Sequence, residues 1–310
     1  MSNVDPSLVI PLDPVAVPGA GDRPRSLSQD AWEDLRRNPI VLICAAVIVL
    51  LLLMALFPGL FTHTDPHLCD LSNTRKGPSG HAWFGYDQQG CDIYSRTIHG
   101  ARASIAVGVL STIGVALIGG IFGMLAGFYG GIWDTIVSRV ADVFFAIPFL
   151  LGAIIVLTTF PSGNAHSFWL PVSKVVIALT LFGWPSLARI MRSTTLQVKE
   201  ADYVAAARAL GASTPRILRV HVLPNAVQPV IVYATIALGG FVGAEATLSF
   251  LGVGLQPPAI SWGIDISTAE AIVRSSPHVL LFPVVFLSVT VLAFILLGDA
   301  IRDALDPKQR

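Results

Sequence analysis

The chain has 310 residues, a mass of 33.0 kDa and a formal net charge of zero, because 20 basic residues balance 20 acidic ones. It is 53% hydrophobic and 13% charged, with a mean hydropathy of +0.68, whereas an ordinary soluble domain is about 25% charged. Apolar stretches near bilayer-spanning length exclude a soluble enzyme, and the balanced charge offers no global attraction for nucleic acid.

In chain order, residues 1–27 contain Pro, Asp and Ser with few aromatics, and are expected to form a disordered cytoplasmic tail. Residues 28–39 are expected to form an interfacial helix, with Ser28 as its cap and Trp32 and Leu35 on one flank. An irregular juxtamembrane segment is the alternative. The first transmembrane helix covers 40–60. It begins too far along the chain, and runs too long, for a cleaved signal segment. Five more spans follow: Ser104 to Phe128, Val140 to Thr159, Val172 to Ile190, Val227 to Leu251 and Val279 to Ala300. Each is near the roughly 20 residues that cross about 30 Å of hydrocarbon. Helices satisfy their own backbones in lipid, so the fold class is all-α, a polytopic membrane protein with six transmembrane helices. Pro148 and Pro185 fall inside the third and fourth spans and predict kinks. With the N-terminus inside, 14 of the 20 basic residues lie on inner segments and six on outer ones. This bias predicts that both termini are cytoplasmic.

Residues 61–101 form an expected external loop, and 102–310 a core with the other five spans. Within that core, 191–226 is the longest internal connection and 252–278 a second external loop. Cys44 lies in an apolar run and reads as a small core residue. Cys69 and Cys91 share the first external loop on the oxidising side, where a disulfide is chemically allowed and two free thiols are the alternative. The seven histidines are dispersed, none in an H-E-x-x-H setting, and no metal site is expected. The four lysines, Lys76, Lys174, Lys199 and Lys308, lie outside any G-x-x-x-x-G-K-[ST] pattern, so no Walker-type ATPase site is expected.

The internal connection is the most informative segment. Ala201 to Leu210 is mostly strong helix formers and is stopped by Gly211. Thr214 caps a second helix with Pro215 in its first turn, and Pro224 is expected to end it. A short alanine-faced helix fits closely into a groove of another protein. A pair of amphipathic helices lying on the membrane is the competing reading.

This segment resembles the EAA loop of the permease subunits of binding-protein-dependent ABC importers. That pattern is Glu-Ala-Ala, three residues, Gly, nine residues, Ile, any residue, Leu, Pro. Ala205, Ala206, Ala207, Gly211, His221, Leu223 and Pro224 occupy those positions, with Ala205 in place of the Glu and His221 in place of the Ile. Asp202 through Ser213 resembles the form found in the dipeptide, oligopeptide and nickel group. Trp32 with Arg36 to Pro39, Phe84 to Asp87, Gly127 to Gly131, Ser249 to Gly252 and Gly298 to Pro307 extend the resemblance. It is nearest to the C-type subunit of a dipeptide or oligopeptide permease pair.

The resemblance implies a type I ABC importer permease fold in a bacterial inner membrane, forming half of a translocation pathway for dipeptides or oligopeptides. It implies a non-catalytic chain without a cofactor, with ATP and Mg bound by partner ATPase subunits. The implied partners are a homologous B-type permease, one or two cytoplasmic ATP-binding subunits, an extracytoplasmic substrate-binding protein, the peptide substrate and membrane lipid. Residues around Asp202, Tyr203, Ala205, Ala206, Ala207, Arg208 and Gly211, with Leu223 and Pro224 behind them, would form the coupling loop. Arg208 is the candidate charged contact. Asp87, Asp92 and Trp262 are candidates for the external partner surface. Two alternatives stay open: a self-contained ion-coupled secondary transporter, and the same fold serving nickel or another small solute.

Three polar groups stand near or in the spans. Glu245 is the acid well inside a span, where charge is costly. With Ser249 it either lines the path, meeting a peptide amino group, or belongs to a buried structural network. Asp134, Arg139 and Asp142 cluster near the inner interface, and the three-residue spacing of Arg139 and Asp142 predicts a pair. Gly119, Gly123 and Gly127 repeat a spacing that lets helices approach closely.

Overall fold

The computed structural model describes residues 27–160 and 167–305. The expected disordered tail falls outside them, apart from Leu27. Helix α1 (Leu27–Arg37) leads into α2 (Pro39–Leu56) through Asn38. The Asn38 side chain accepts a hydrogen bond from the Ile40 N–H, and Pro39 supplies a fixed φ in the first turn. The first span stops at Leu56, short of the expected end at residue 60, and a 3₁₀ turn over Pro58–Leu60 starts the loop.

Helix α3 (Ile93–Tyr129) is longer than its apolar stretch. Asp92 caps it, so residues 93–101 are its first turns and not part of the external loop. Helix α6 (Trp169–Lys199) runs beside α3, and likewise extends past the expected end of the fourth span into the internal connection. Gly119, Gly123 and Gly127 face α6: a Cβ at Gly123 would collide with the Ala188 backbone and lie 2.9 Å from the Met191 Cβ. Small side chains here let the two backbones touch. Pro185 stays within α6, buried, without ending it.

The third span is not one helix. Helix α4 (Gly131–Ala146) and α5 (Phe149–Thr159) meet at an 85° bend. Ile147 is extended and Pro148 caps α5, as expected where a proline disfavours the helical conformation of the residue before it. Helices α10 (Gln228–Phe250) and α12 (Pro277–Leu305) complete the bundle. Among the described residues five helices are long and apolar enough to cross a membrane, or six spans if the bent pair counts as one.

The ends of the bundle differ. One carries residues 57–92 and α11 (Trp262–Glu270). There Phe84 stacks on Phe282 of α12 with ring centroids 3.8 Å apart. Cys69 and Cys91 are joined by a disulfide. The other end carries a helical hairpin: α7 (Asp202–Ala209), α8 (Thr214–Arg216), a π-helical turn over Ile217–Val222 and α9 (Leu223–Ala226). The main core lies between α3, α6 and α10 and reaches into this hairpin through Val204, Ile217, Val222 and Ala226. Large apolar side chains stay exposed on α2, α4 and α5, among them Ile43, Ile132, Val143 and Ile155. Such faces suit lipid or a second membrane chain.

Candidate functional site

The hairpin is built as a rigid projection. Asp202 lies in the first turn of α7 and Arg208 in the last, the arrangement the helix dipole favours. The helix ends on Gly211, whose φ of +83° is the left-handed conformation that glycine adopts without penalty. The Gly211 N–H donates to the Arg208 carbonyl and the Ala212 N–H to the Ala207 carbonyl, both at 3.0 Å. This pair of bonds is a Schellman closure, satisfying carbonyls that the helix end leaves open.

Val204 anchors α7. It is fully buried, while Tyr203, Ala205, Ala206 and Arg208 point outward and Leu210 is 88% exposed. Val204 is the one bulky aliphatic residue in an alanine-rich helix, a signal that lies outside the EAA pattern. A concavity of about 650 Å³ flanks the helix, lined by Tyr203, Ala206, Gly211, Arg216 and His221. The His221 ring lies 6.3 Å from the Tyr203 ring. The expected end at Pro224 needs correction, because the helical path continues through α9. Pro224 stands just past the π-helical turn, and its missing N–H leaves the carbonyls of that turn one donor short. Leu223 and Pro224 are both exposed.

Ion pairs brace this end. Asp134 of α4 pairs with Arg192 of α6, with a second bond of 2.7 Å to Asp134 Oδ2. Asp142 lies 3.6 Å from Arg139, but its nearer partner is Arg189 at 2.8 Å. The Arg139 to Asp142 spacing thus gives only the weaker half of the arrangement, and the cross-helix partners were invisible in it. Lys199 donates to the Gly127 carbonyl at 3.0 Å, tying α6 to the end of α3.

Glu245 is fully buried in α10. It accepts hydrogen bonds from Ser104 of α3 at 2.9 Å and from Ser249 at 2.7 Å. Ser249 also accepts from the Leu255 N–H at 3.0 Å, and Ser104 from the Trp262 N–H at 3.3 Å. The carboxylate thereby joins α3, α10 and the start of α11. Within this chain it forms a buried polar knot.

Two of the three external-surface candidates are corrected. Trp262 is fully buried, with its indole N–H donating to the Thr97 carbonyl at 2.9 Å. Asp92 is buried as the cap of α3; burial raises its carboxyl, while bonds from Ser95 and Tyr94 act the other way. Their side chains belong to the packing of the disulfide end and are not presented to a partner. Asp87 remains half-buried at the mouth of a cavity. It faces Arg96, which pairs with Asp265 through bonds of 3.0 and 2.5 Å. Burial pushes the Asp265 carboxyl up, Arg96 opposes that, and Asp87 adds to it.

Comparison with known proteins places the chain. Residues 119–310 match the family described as binding-protein-dependent transport system inner membrane component, and residues 26–78 match the N-terminal TM domain of oligopeptide transport permease C. The chain is 38% identical over 316 residues to the oligopeptide transport system permease protein OppC of Bacillus subtilis (strain 168), covering 100% of both. It is 40% identical over 288 residues to the glutathione transport system permease protein GsiD of Shigella dysenteriae serotype 1 (strain Sd197), covering 93% of this chain and 92% of that one. Its fold is similar to a chain of the MetNI methionine ABC transporter in an inward-facing conformation. The TM-score is 0.54 at 22% identity, over 68% of this chain and 96% of that one. This chain belongs to the binding-protein-dependent transport system inner membrane components, as a multi-pass permease subunit.

Proposed function

We propose that this permease subunit moves dipeptides or oligopeptides inward as one half of an ATP-driven channel. Its partners are a homologous B-type permease, one or two ATP-binding subunits that carry ATP and Mg, and an extracytoplasmic substrate-binding protein. Both termini and the hairpin lie on the cytoplasmic side, and the disulfide end faces outward. The observation that carries the reading is the hairpin: a short helix closed by Gly211, held from beneath by Val204, with Tyr203, Ala206, Arg208 and Leu210 exposed. A rigid projection anchored in the bundle core transmits a push from a closing ATPase pair to the spans. The peptide cargo rests on the similarity to an oligopeptide and a glutathione permease.

The test is purification of the tagged chain from its native membrane in mild detergent, with mass spectrometry of what accompanies it. Recovery of a second permease and ATPase subunits, with ATP-dependent peptide uptake after reconstitution, supports the reading. Ion-driven uptake by the chain alone overturns it.

A further inference from the structure

At the disulfide end a cavity of about 670 Å³ opens between the 67–91 loop and α11. Its walls include Asp87 and Arg96 on one side and Pro257, Ala259, Ile260 and Ile264 on the other. A smaller chamber of about 10 Å³ shares Asp87, Arg96, Thr268 and Val279 with it and adds Asp265. That volume holds about one water-sized group.

The chamber has one unused acceptor. Both bonds from Arg96 go to Asp265 Oδ1, while Asp265 Oδ2 is buried without a hydrogen-bond partner. The Asp265 side chain is only 8% exposed. Asp87 Oδ1 accepts from the Gln89 and Cys91 N–H groups, leaving Oδ2 3.7 Å from Arg96. Two carboxyl groups face one guanidinium here, so acidic groups outnumber the basic one. Asp265 accepts from Arg96 on Oδ1, and a donor group completes the open Oδ2 in the same way.

A primary ammonium meets these conditions: it is compact, singly charged and has three donors, whereas a guanidinium is a wide planar fork. A divalent metal fits poorly, since Arg96 shares both carboxylates, and among the described residues there is no group of three or more metal-ligating acids, histidines or cysteines. The apolar wall from Pro257 to Ile264 suits the stem of such an amine. We propose that this recess binds a primary ammonium on an aliphatic stem, with Asp265 Oδ2 and Asp87 as its acceptors. The recess chemistry stands by itself. The source of the amine, a cargo peptide or a lysine of the docked binding protein, rests on the importer reading.

The test is saturation-transfer NMR on the full chain in nanodiscs, with n-butylammonium as probe and n-butanol as control. Saturable binding of the amine alone, weakened at least about tenfold (roughly 1.4 kcal/mol) in both Asp265→Asn and Asp87→Asn, supports the site. Asp87→Asn keeps an oxygen for the Gln89 and Cys91 N–H groups, so it reports even where Asp265→Asn fails to fold. Absence of saturable amine binding, with the recess holding an ordered water only, overturns the proposal. Equal affinity in wild type and both variants also overturns it. In the reconstituted importer, a higher KM for free-amine peptides in Asp87→Asn, with N-acetylated peptides unaffected, assigns the amine to cargo. Unchanged KM with weaker capture of the binding protein assigns it to a docked lysine. Amine binding by a chain that supports no ATP-driven uptake sinks the importer reading and leaves the site standing.

Discussion

Ser104 of α3 donates a hydrogen bond of 2.9 Å to Glu245 of α10, across 141 residues of sequence. Both groups are fully buried, and Ser249 closes the other side of the carboxylate. Glu245→Ala leaves two buried hydroxyls without their acceptor, at about 1–3 kcal/mol each. The expected outcome is a clear fall in the melting temperature of the detergent-solubilised chain. Glu245→Gln, which keeps one acceptor oxygen, falls less. Equal melting of wild type and Glu245→Ala would show that the knot carries no stability.

Helix α3 makes a second prediction through a pair of glycines. Gly123→Ala places a methyl against the Ala188 backbone and Met191, so α3 and α6 must separate. Gly120→Ala meets nothing within 4 Å. Overpacking costs about 1–3 kcal/mol. Thermal unfolding should therefore drop for Gly123→Ala and remain near wild type for Gly120→Ala.

The disulfide closes residues 69–91 beside the cavity at that end of the bundle. A loop of this length is worth roughly 3 kcal/mol when cross-linked. Cys69→Ser with Cys91→Ser should expose the 69–91 segment to protease while the spans stay folded. Limited proteolysis followed by peptide mapping reads this, and cleavage confined to the spans would contradict it.

The bracing pair of α4 and α6 is partly exposed, so its worth is modest. A double-mutant cycle of Asp134→Ala and Arg192→Ala should give a coupling below about 1 kcal/mol. A coupling several times larger would mean the pair is shielded in the assembled transporter.

Long apolar runs announced the spans, because lipid demands both length and composition. Helix ends were misplaced where the stop signal is polar and local: Asp92 starts α3 within a segment that reads as loop. The third span reads as continuous because both halves are apolar, yet Pro148 sets the 85° bend between them. The hairpin was legible because Gly211 and the alanine run are local features. Trp262 was not, since its burial depends on Thr97 and Ser104, more than 150 residues away. The Arg96 and Asp265 pair, 169 residues apart, was hidden for the same reason.

We propose that α7 is the contact to an ATP-binding subunit. Cross-linking from Ala206→Cys, made in a Cys44→Ser background, tests it most directly, because Ala206 is exposed on the projecting helix while Val204 keeps the hairpin seated. The expected result is a covalent adduct with a co-purified subunit that contains a phosphate-binding loop, and loss of that adduct when Gly211→Val disturbs the helix end. Uptake-competent chain that yields no such adduct from Ala206 would contradict it.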